Sequence, residues 1–193
     1  MMDLEWWAER YASGGRPERP PSRWVLEAAD GMPNDLPVAD IAGGTGRHAI
    51  PIARRGRSVV LVDFVESAVR AGVAAEGAIR GVVADACALP LARGVFGLVV
   101  VANFLDRGIF PDLAALLAPG GCLVYETYTV PHLALVARGE AYGPSDPRFV
   151  LEPGELRSLV APLRVEHDFE GEIRDEAGLR YCARVMARRD TLS

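Results

Sequence analysis

The chain is 193 residues long, enough for one domain with a real core and too short for two ordinary ones. Half of its residues are hydrophobic and 24% are charged, which excludes a disordered or fibrous chain, and a net charge of −5 argues against a nucleic-acid backbone as partner. All 21 basic residues are Arg, so a P-loop lysine and a Schiff-base lysine are both excluded.

The longest apolar runs, such as Val95 to Ala102, are far short of the roughly 20 residues that cross a bilayer. The start Met1-Met2-Asp3-Leu4-Glu5 carries acid where a secretory signal carries base, so a cytoplasmic protein without membrane contact is expected. Cys87, Cys122 and Cys182 are odd in number, widely spaced and never in a Cys-x-x-Cys pair. They are expected to be buried small hydrophobes, without disulfide or metal.

In chain order, Met1 to Tyr11 and Ser22 to Asp30 have helical spacing, and the Gly/Pro-rich stretch from Gly14 to Pro21 separates them. Five short β-branched runs follow: Val38 to Ala42, Ser58 to Val62, Gly81 to Ala84, Phe96 to Ala102 and Cys122 to Thr127. Between them, His48 to Arg55, Glu66 to Ala75 and Ile109 to Leu117 have helical periodicity and the length of crossover helices. The alternation calls for a doubly wound, mostly parallel sheet with strands buried on both faces. Gly139 to Pro153 is a Gly/Pro-rich loop before a short helix, Gly154 to Val160. Leu163 to Ile173 and Leu179 to Ala187 then read as a terminal hairpin, which brings the sheet to about seven strands.

The first strand runs into Ala42-Gly43-Gly44-Thr45-Gly46-Arg47-His48-Ala49 and then a helix. In such a turn, backbone N–H groups and a helix start approach a ligand that side chains would block. A tight turn without ligand is the plainer reading, but the position after the first strand of an alternating chain speaks for the cradle. Asp63 closes the second strand 20 residues after Gly43, where a Rossmann acid reaches ribose hydroxyls; alone, such an acid is more often a helix cap, and its pairing with the loop favours the ribose. Gly44-x-Gly46-x-x-Ala49 also satisfies the looser dinucleotide fingerprint, so loop and acid imply a nucleoside without saying which.

Three further features bear on that choice: Asp40 before the loop, Asp85 after the third strand, and Leu117-Ala118-Pro119-Gly120-Gly121 leading into the fifth. With them the chain resembles the class I, Rossmann-like methyltransferases that use S-adenosylmethionine (SAM) and release S-adenosylhomocysteine. The resemblance implies a single domain of residues 1–193, with a Rossmann-like core over 38–193 and an N-terminal helical lid over 1–31. It places the methionine part at Asp40, Gly44 and Gly46, the ribose at Asp63 and the adenine at Asp85, with Ala42, Gly43, Phe64, Ala86 and Asn103 as further cofactor contacts. Ala42 departs from the family, which has glycine there, so its methyl is expected to crowd the loop. The stretch from Gly143 to Leu156 is similar to small bacterial tellurite-resistance and thiopurine-type enzymes.

Methyl transfer from a sulfonium needs a positioned nucleophile and exclusion of water, so neither a catalytic triad nor a metal is expected. Substrate belongs beyond the carboxyl ends of the strands. Asn103, after the fourth strand, is a candidate for lining the transfer site, against a plain turn residue. Glu126, ending the apolar fifth strand, is a candidate site carboxylate because burial there demands a partner. His132 beside Pro131 is a candidate general base, against an exposed loop residue. Arg107, Tyr128, Tyr142, Trp7 and Tyr11 are candidate substrate contacts, with Trp6, Trp7 and Tyr11 forming an aromatic stripe able to face a sulfonium. The expected acceptor is a small molecule, handled by a monomer or homodimer. An NAD-dependent oxidoreductase and a SAM-binding protein without turnover are the competing readings; the first lacks any Tyr-x-x-x-Lys relay in a chain without Lys.

Overall fold

The computed structural model describes residue 9 and residues 19–191 apart from 34 and 177. The first expected helix, with Trp6, Trp7 and Tyr11, lies outside the described residues. The second is present as α1 (Arg23–Asp30). From there the chain alternates through β1 (Val38–Ile41), α2 (Ala49–Ala53), β2 (Val59–Asp63), α3 (Glu66–Ala75), β3 (Ile79–Val83), β4 (Phe96–Ala102), α4 (Phe110–Leu116) and β5 (Leu117–Tyr128). It ends with α5 (Pro131–Ala137), α6 (Glu155–Leu159) and the hairpin of β6 (Arg164–Asp175) and β7 (Gly178–Arg188).

The seven strands form one sheet in the order β3-β2-β1-β4-β5-β7-β6. β1 to β5 pair in parallel, and β7 runs antiparallel to both β5 and β6. This is the doubly wound, mostly parallel sheet that the run of elements implies, with the antiparallel last strand that the resemblance implies. Strand order reverses between β1 and β4, and an open α/β sheet takes its ligand in the crevice at that reversal.

Two hydrophobic faces explain why the central strands are apolar almost throughout. Ala39, Ile41, Val99, Val101, Leu123 and Tyr125 pack on one face against Phe110 and Leu113 of α4 and Leu156 of α6. Val38, Leu98, Val100, Cys122 and Val124 pack on the other against Val25 and Ala29 of α1 and Ile52 of α2. Each fully buried aliphatic side chain of these layers contributes ~1.5–3 kcal/mol.

Three expectations are corrected. Residues 23–30 are a layer of the core and not part of a cover, because Val25 and Ala29, one helical turn apart, face the sheet and are buried. Pro131–Ala137 is a helix and not a loop; Pro131 sits at its first position, where a missing N–H costs nothing. Cys122 and Cys182 are buried as expected, but Cys87 is exposed. Among the described residues, no helix is long and apolar enough to cross a membrane.

Candidate active site

At the reversal, β1 ends at Ile41 and the chain turns through Ala42 (φ 53°), Gly44 (φ 59°) and Gly46 (φ 85°). Space as well as dihedral angle selects glycine: a Cβ on Gly43 would lie 2.5 Å from Leu61 Cδ1 and 2.8 Å from Asp40 Cγ. The loop therefore presses directly on Asp40, which is 1% exposed. Asp40 Oδ2 accepts the Ala49 N–H at 3.0 Å and fixes the start of α2. Its Oδ1 is buried with no hydrogen-bond partner among the described residues. Burial pushes the Asp40 carboxyl up to about 7; the Ala49 N–H and Arg47 oppose this and nearby Asp63 adds to it.

Asp63, buried at the end of β2, accepts Gly44 N–H at 2.8 Å through Oδ2 and Val65 N–H at 3.0 Å through Oδ1. One carboxylate thus serves both as helix-start acceptor and as anchor of the glycine loop. Phe64 follows, half-buried. Asp85 is exposed just beyond β3, where it accepts the Cys87 N–H at 2.9 Å, and Ala86 packs in the core. Ala84 N–H donates to Asp63 O, so the chain segments carrying Asp63 and Asp85 run side by side. The expected cofactor residues are thereby brought to one edge of the sheet.

Asn103 closes the other side of the crevice. Ile41 pairs with Val101, so Ala42 and Asn103 leave neighbouring strands at nearly the same level. Asn103 has φ 59°; it and Ala42 are the only left-handed non-glycine residues among those described. Its N–H donates to Glu126 O at 2.8 Å, and its Oδ1 is buried without a partner among the described residues. Backbone strain and orphaned polar atoms of this kind gather where a ligand completes the structure.

The region beyond β5 and β7 is built in the opposite way. Glu126 is wholly buried and takes Ser22 Oγ at 2.9 Å, Arg180 Nη1 at 3.0 Å and Arg184 Nε at 2.6 Å. Burial alone would raise its carboxyl, but the two guanidiniums outweigh it and hold the group below the ordinary range. The expectation that buried Glu126 needs partners holds; a catalytic part does not follow, because the partners are structural arginines and the group is tied up as their counter-ion. His132 is buried in α5, with Nδ1 accepting Tyr181 N–H at 3.4 Å and Nε2 facing Tyr142 O at 3.3 Å. With Nδ1 an acceptor, the proton sits on Nε2 and both nitrogens are engaged. Burial, with Arg19 and Arg180 nearby, lowers this imidazole to about 4. His132 is corrected from candidate base to brace. Arg107 is corrected from substrate contact likewise: it pairs with Glu155 through Nε at 2.5 Å and Nη2 at 2.9 Å and donates to Arg148 O and Val150 O, pinning the 139–155 loop to the end of β4.

Sequence reasoning missed the segment before α1. Arg19 Nη1 donates to Tyr128 Oη at 2.7 Å and Nη2 to Tyr142 O at 2.9 Å, with its guanidinium 4.9 Å above the Tyr142 ring. Ser22 N–H donates to His48 Nε2 at 3.1 Å. The strap from Arg19 to Ser22 thus ties the helix after the glycine loop to the end of β5 and to the loop above it. In the sequence Arg19 stands in the Gly/Pro-rich stretch, with no periodicity to mark it, and Ser22 reads only as the start of a helix. Trp7 and Tyr11, the other substrate candidates, lie outside the described residues.

Known proteins share this fold. A family described as "Methyltransferase domain" matches residues 38–121, from β1 through the turn inside β5. The demethylmenaquinone methyltransferase of Clavibacter sepedonicus is 32% identical over 110 residues, covering 53% of this chain and 45% of that protein. The chain spans about half the length of such relatives. A protein solved in a study of the conversion of a disulfide bond into a thioacetal group during echinomycin biosynthesis superposes with a TM-score of 0.74 at 22% identity, covering 98% of this chain and 93% of that one. A SAM-dependent methyltransferase of Methanosarcina mazei gives 0.71 at 18% identity, covering 88% and 99%. The chain is thus similar to a methyltransferase domain over residues 38–121 and shares its fold with solved SAM-dependent methyltransferases.

Proposed function

We propose that this chain transfers the methyl group of S-adenosylmethionine to a small-molecule nucleophile. One observation carries the reading: two buried acceptors without partners among the described residues, Asp40 Oδ1 on β1 and Asn103 Oδ1 just after β4, flank the reversal of strand order, and a left-handed non-glycine residue follows each of these strands. A ligand with an ammonium group supplies the donors these oxygens lack, and a ligand with a ribose suits Asp63. The crowded approach of Gly43 to Asp40 and Leu61 leaves backbone as the loop's face toward that ligand.

When bound, S-adenosylmethionine supplies an electrophilic methyl whose leaving group, neutral S-adenosylhomocysteine, is already in place. The chain's residues then have to bind, orient and exclude water. Asp40 and Asn103 would hold the methionine end, Asp63 the ribose with Phe64 alongside, and Asp85 with Ala86 the adenine. The acceptor would approach over the ends of β4 and β5, where Tyr128 and Tyr142 stand. The part of these residues would be to aim an acceptor lone pair at the cofactor's electrophilic methyl. A small acceptor fits the paired, buried surroundings, and the acidic chain gives no support to a nucleic-acid acceptor.

Calorimetry with S-adenosylmethionine and NAD tests the reading together with transfer of label from S-adenosylmethionine into a metabolite pool. Binding of S-adenosylmethionine with transfer of label is expected; binding of NAD alone would replace the methyltransferase by an oxidoreductase, and binding without transfer would leave a binder without turnover.

A further inference from the structure

Among the described residues, the hydroxyl of Tyr128 has no acceptor for its hydrogen. Tyr128 is 5% exposed, and the one hydrogen bond it makes among the described residues is the one it accepts from Arg19 at 2.7 Å. The ring stacks on His132 with centroids 4.3 Å apart, which leaves the imidazole nitrogens to Tyr181 and Tyr142 and out of the hydroxyl's reach. A buried donor without an acceptor is costly and is rare in folded proteins. Tyr128 ends β5, two residues beyond Glu126, the residue whose carbonyl holds Asn103 N–H at the edge of the cofactor crevice. The phenol stays protonated, because burial raises it more than Arg19 lowers it. It therefore offers a hydrogen and not a base, and the cation on its oxygen strengthens that offer.

We propose that the Arg19-backed hydroxyl of Tyr128 binds the methyl acceptor through an anionic oxygen, and that the acceptor is a phenol or enol held as its oxyanion. The proposal rests on the methyl-transfer reading above and names its substrate class. The surrounding charges select this class over carboxylates and phosphates. Two-oxygen anions are met by the open fork of an arginine. Here Arg107 is paired with Glu155, Arg180 and Arg184 with Glu126, and Arg19 spans Tyr128 and Tyr142. A single donor backed by a cation suits a single oxyanion. It also supplies what His132 does not: by favouring the ionised acceptor it lowers that acceptor's pKa in the site, so the proton leaves to solvent on binding and no side chain has to remove it. Arg19 acts through Tyr128 and is a positioning residue.

The test uses the full chain with S-adenosylhomocysteine and para-nitrophenol, whose ionised form is coloured. Wild type is expected to lower the titration midpoint of the bound phenol by about one pH unit, a tenfold gain in ionisation. Tyr128→Phe abolishes the shift, Arg19→Gln reduces it, and Arg19→Lys restores part of it, with S-adenosylhomocysteine affinity by calorimetry unchanged in all three. An equal midpoint in wild type and Tyr128→Phe, or no binding of para-nitrophenol to wild type, overturns the proposal. Failure of wild type to bind S-adenosylhomocysteine overturns the methyltransferase reading beneath it.

Discussion

The glycine-loop half of the molecule and the half beyond β5 solve the problem of buried polarity in opposite ways. Around β1 and β4 the polar atoms are held by backbone, and two acceptors, on Asp40 and Asn103, are left over. Around β5 and β7 the carboxylate of Glu126 is saturated by Ser22, Arg180 and Arg184. The loop above it is pinned by Arg19, Arg107 and His132. Leftover acceptors mark a place that a ligand finishes; saturated ones mark a place the fold has finished for itself. On the methyl-transfer reading proposed above, the donor side is left open and the acceptor side is built as a stiff wall that carries the Tyr128 hydroxyl.

The contrast breaks most visibly at Glu126. Glu126→Ala strands two guanidiniums in the interior, and removing one member of a buried ion pair costs ~3–5 kcal/mol. Urea denaturation should show that loss in full; a change below 1 kcal/mol would mean the cluster is wet and only nominally saturated. Next in size come two opposed pH dependences. The Asp40 carboxyl lies near 7 in the folded chain against an ordinary 3.8, so the folded form keeps a proton that the unfolded form gives up. Its contribution is complete below about pH 4 and is lost as pH rises through 7, about 4 kcal/mol in all. The His132 imidazole lies near 4 against 6.5, so the unfolded chain takes up the proton first and stability is lost as pH falls from 6.5 toward 4, about 3 kcal/mol. In melts across that range, Asp40→Asn should steepen the rise of stability with pH and His132→Phe should flatten or invert it. Equal slopes in the two variants would show that neither group is as dry as the folded chain implies.

What the sequence made legible follows the same divide. The glycine loop, Asp63 and Asp85 are local: a strand, a turn and an acid at fixed spacing predict their own neighbourhood. Glu126, Arg180, Arg184 and Ser22 meet only because β7 lies antiparallel on β5 and because α1 packs on the sheet, and no spacing in the chain records that. His132 was misread because Pro131 reads as a loop signal although proline also opens helices. The turn before the fifth strand, though a specific family signal, serves packing at the far end of the sheet: Arg188 Nη1 donates to Gly120 O at 2.8 Å and Arg189 Nη1 to Leu117 O at 2.7 Å. The Leu151 to Leu156 stretch that suggested a narrower kinship has a structural task as well, since Glu155 is the partner of Arg107 and Thr129 bridges to Leu151.

Two smaller changes sharpen the contrast inside the open half. Asn103→Gly keeps the left-handed backbone and removes the unpaired oxygen, so the melting temperature should stay near that of wild type. Affinity for S-adenosylmethionine should fall about tenfold, the worth of one hydrogen bond to a charged group. A stability loss with unchanged affinity would assign Asn103 to the turn alone. Ala42 was expected to crowd the loop, and its φ of 53° shows the difficulty to be dihedral as much as steric. Ala42→Gly relieves strain of ~1–2 kcal/mol, offset by the ~0.5–1 kcal/mol that glycine adds to the freedom of the unfolded chain. A net gain under ~1 kcal/mol is expected, with cofactor affinity unchanged. Tighter binding in the glycine variant would instead mean that the methyl of Ala42 intrudes on the ligand, placing the cradle's limiting surface at the end of β1 and not at Gly44 and Gly46.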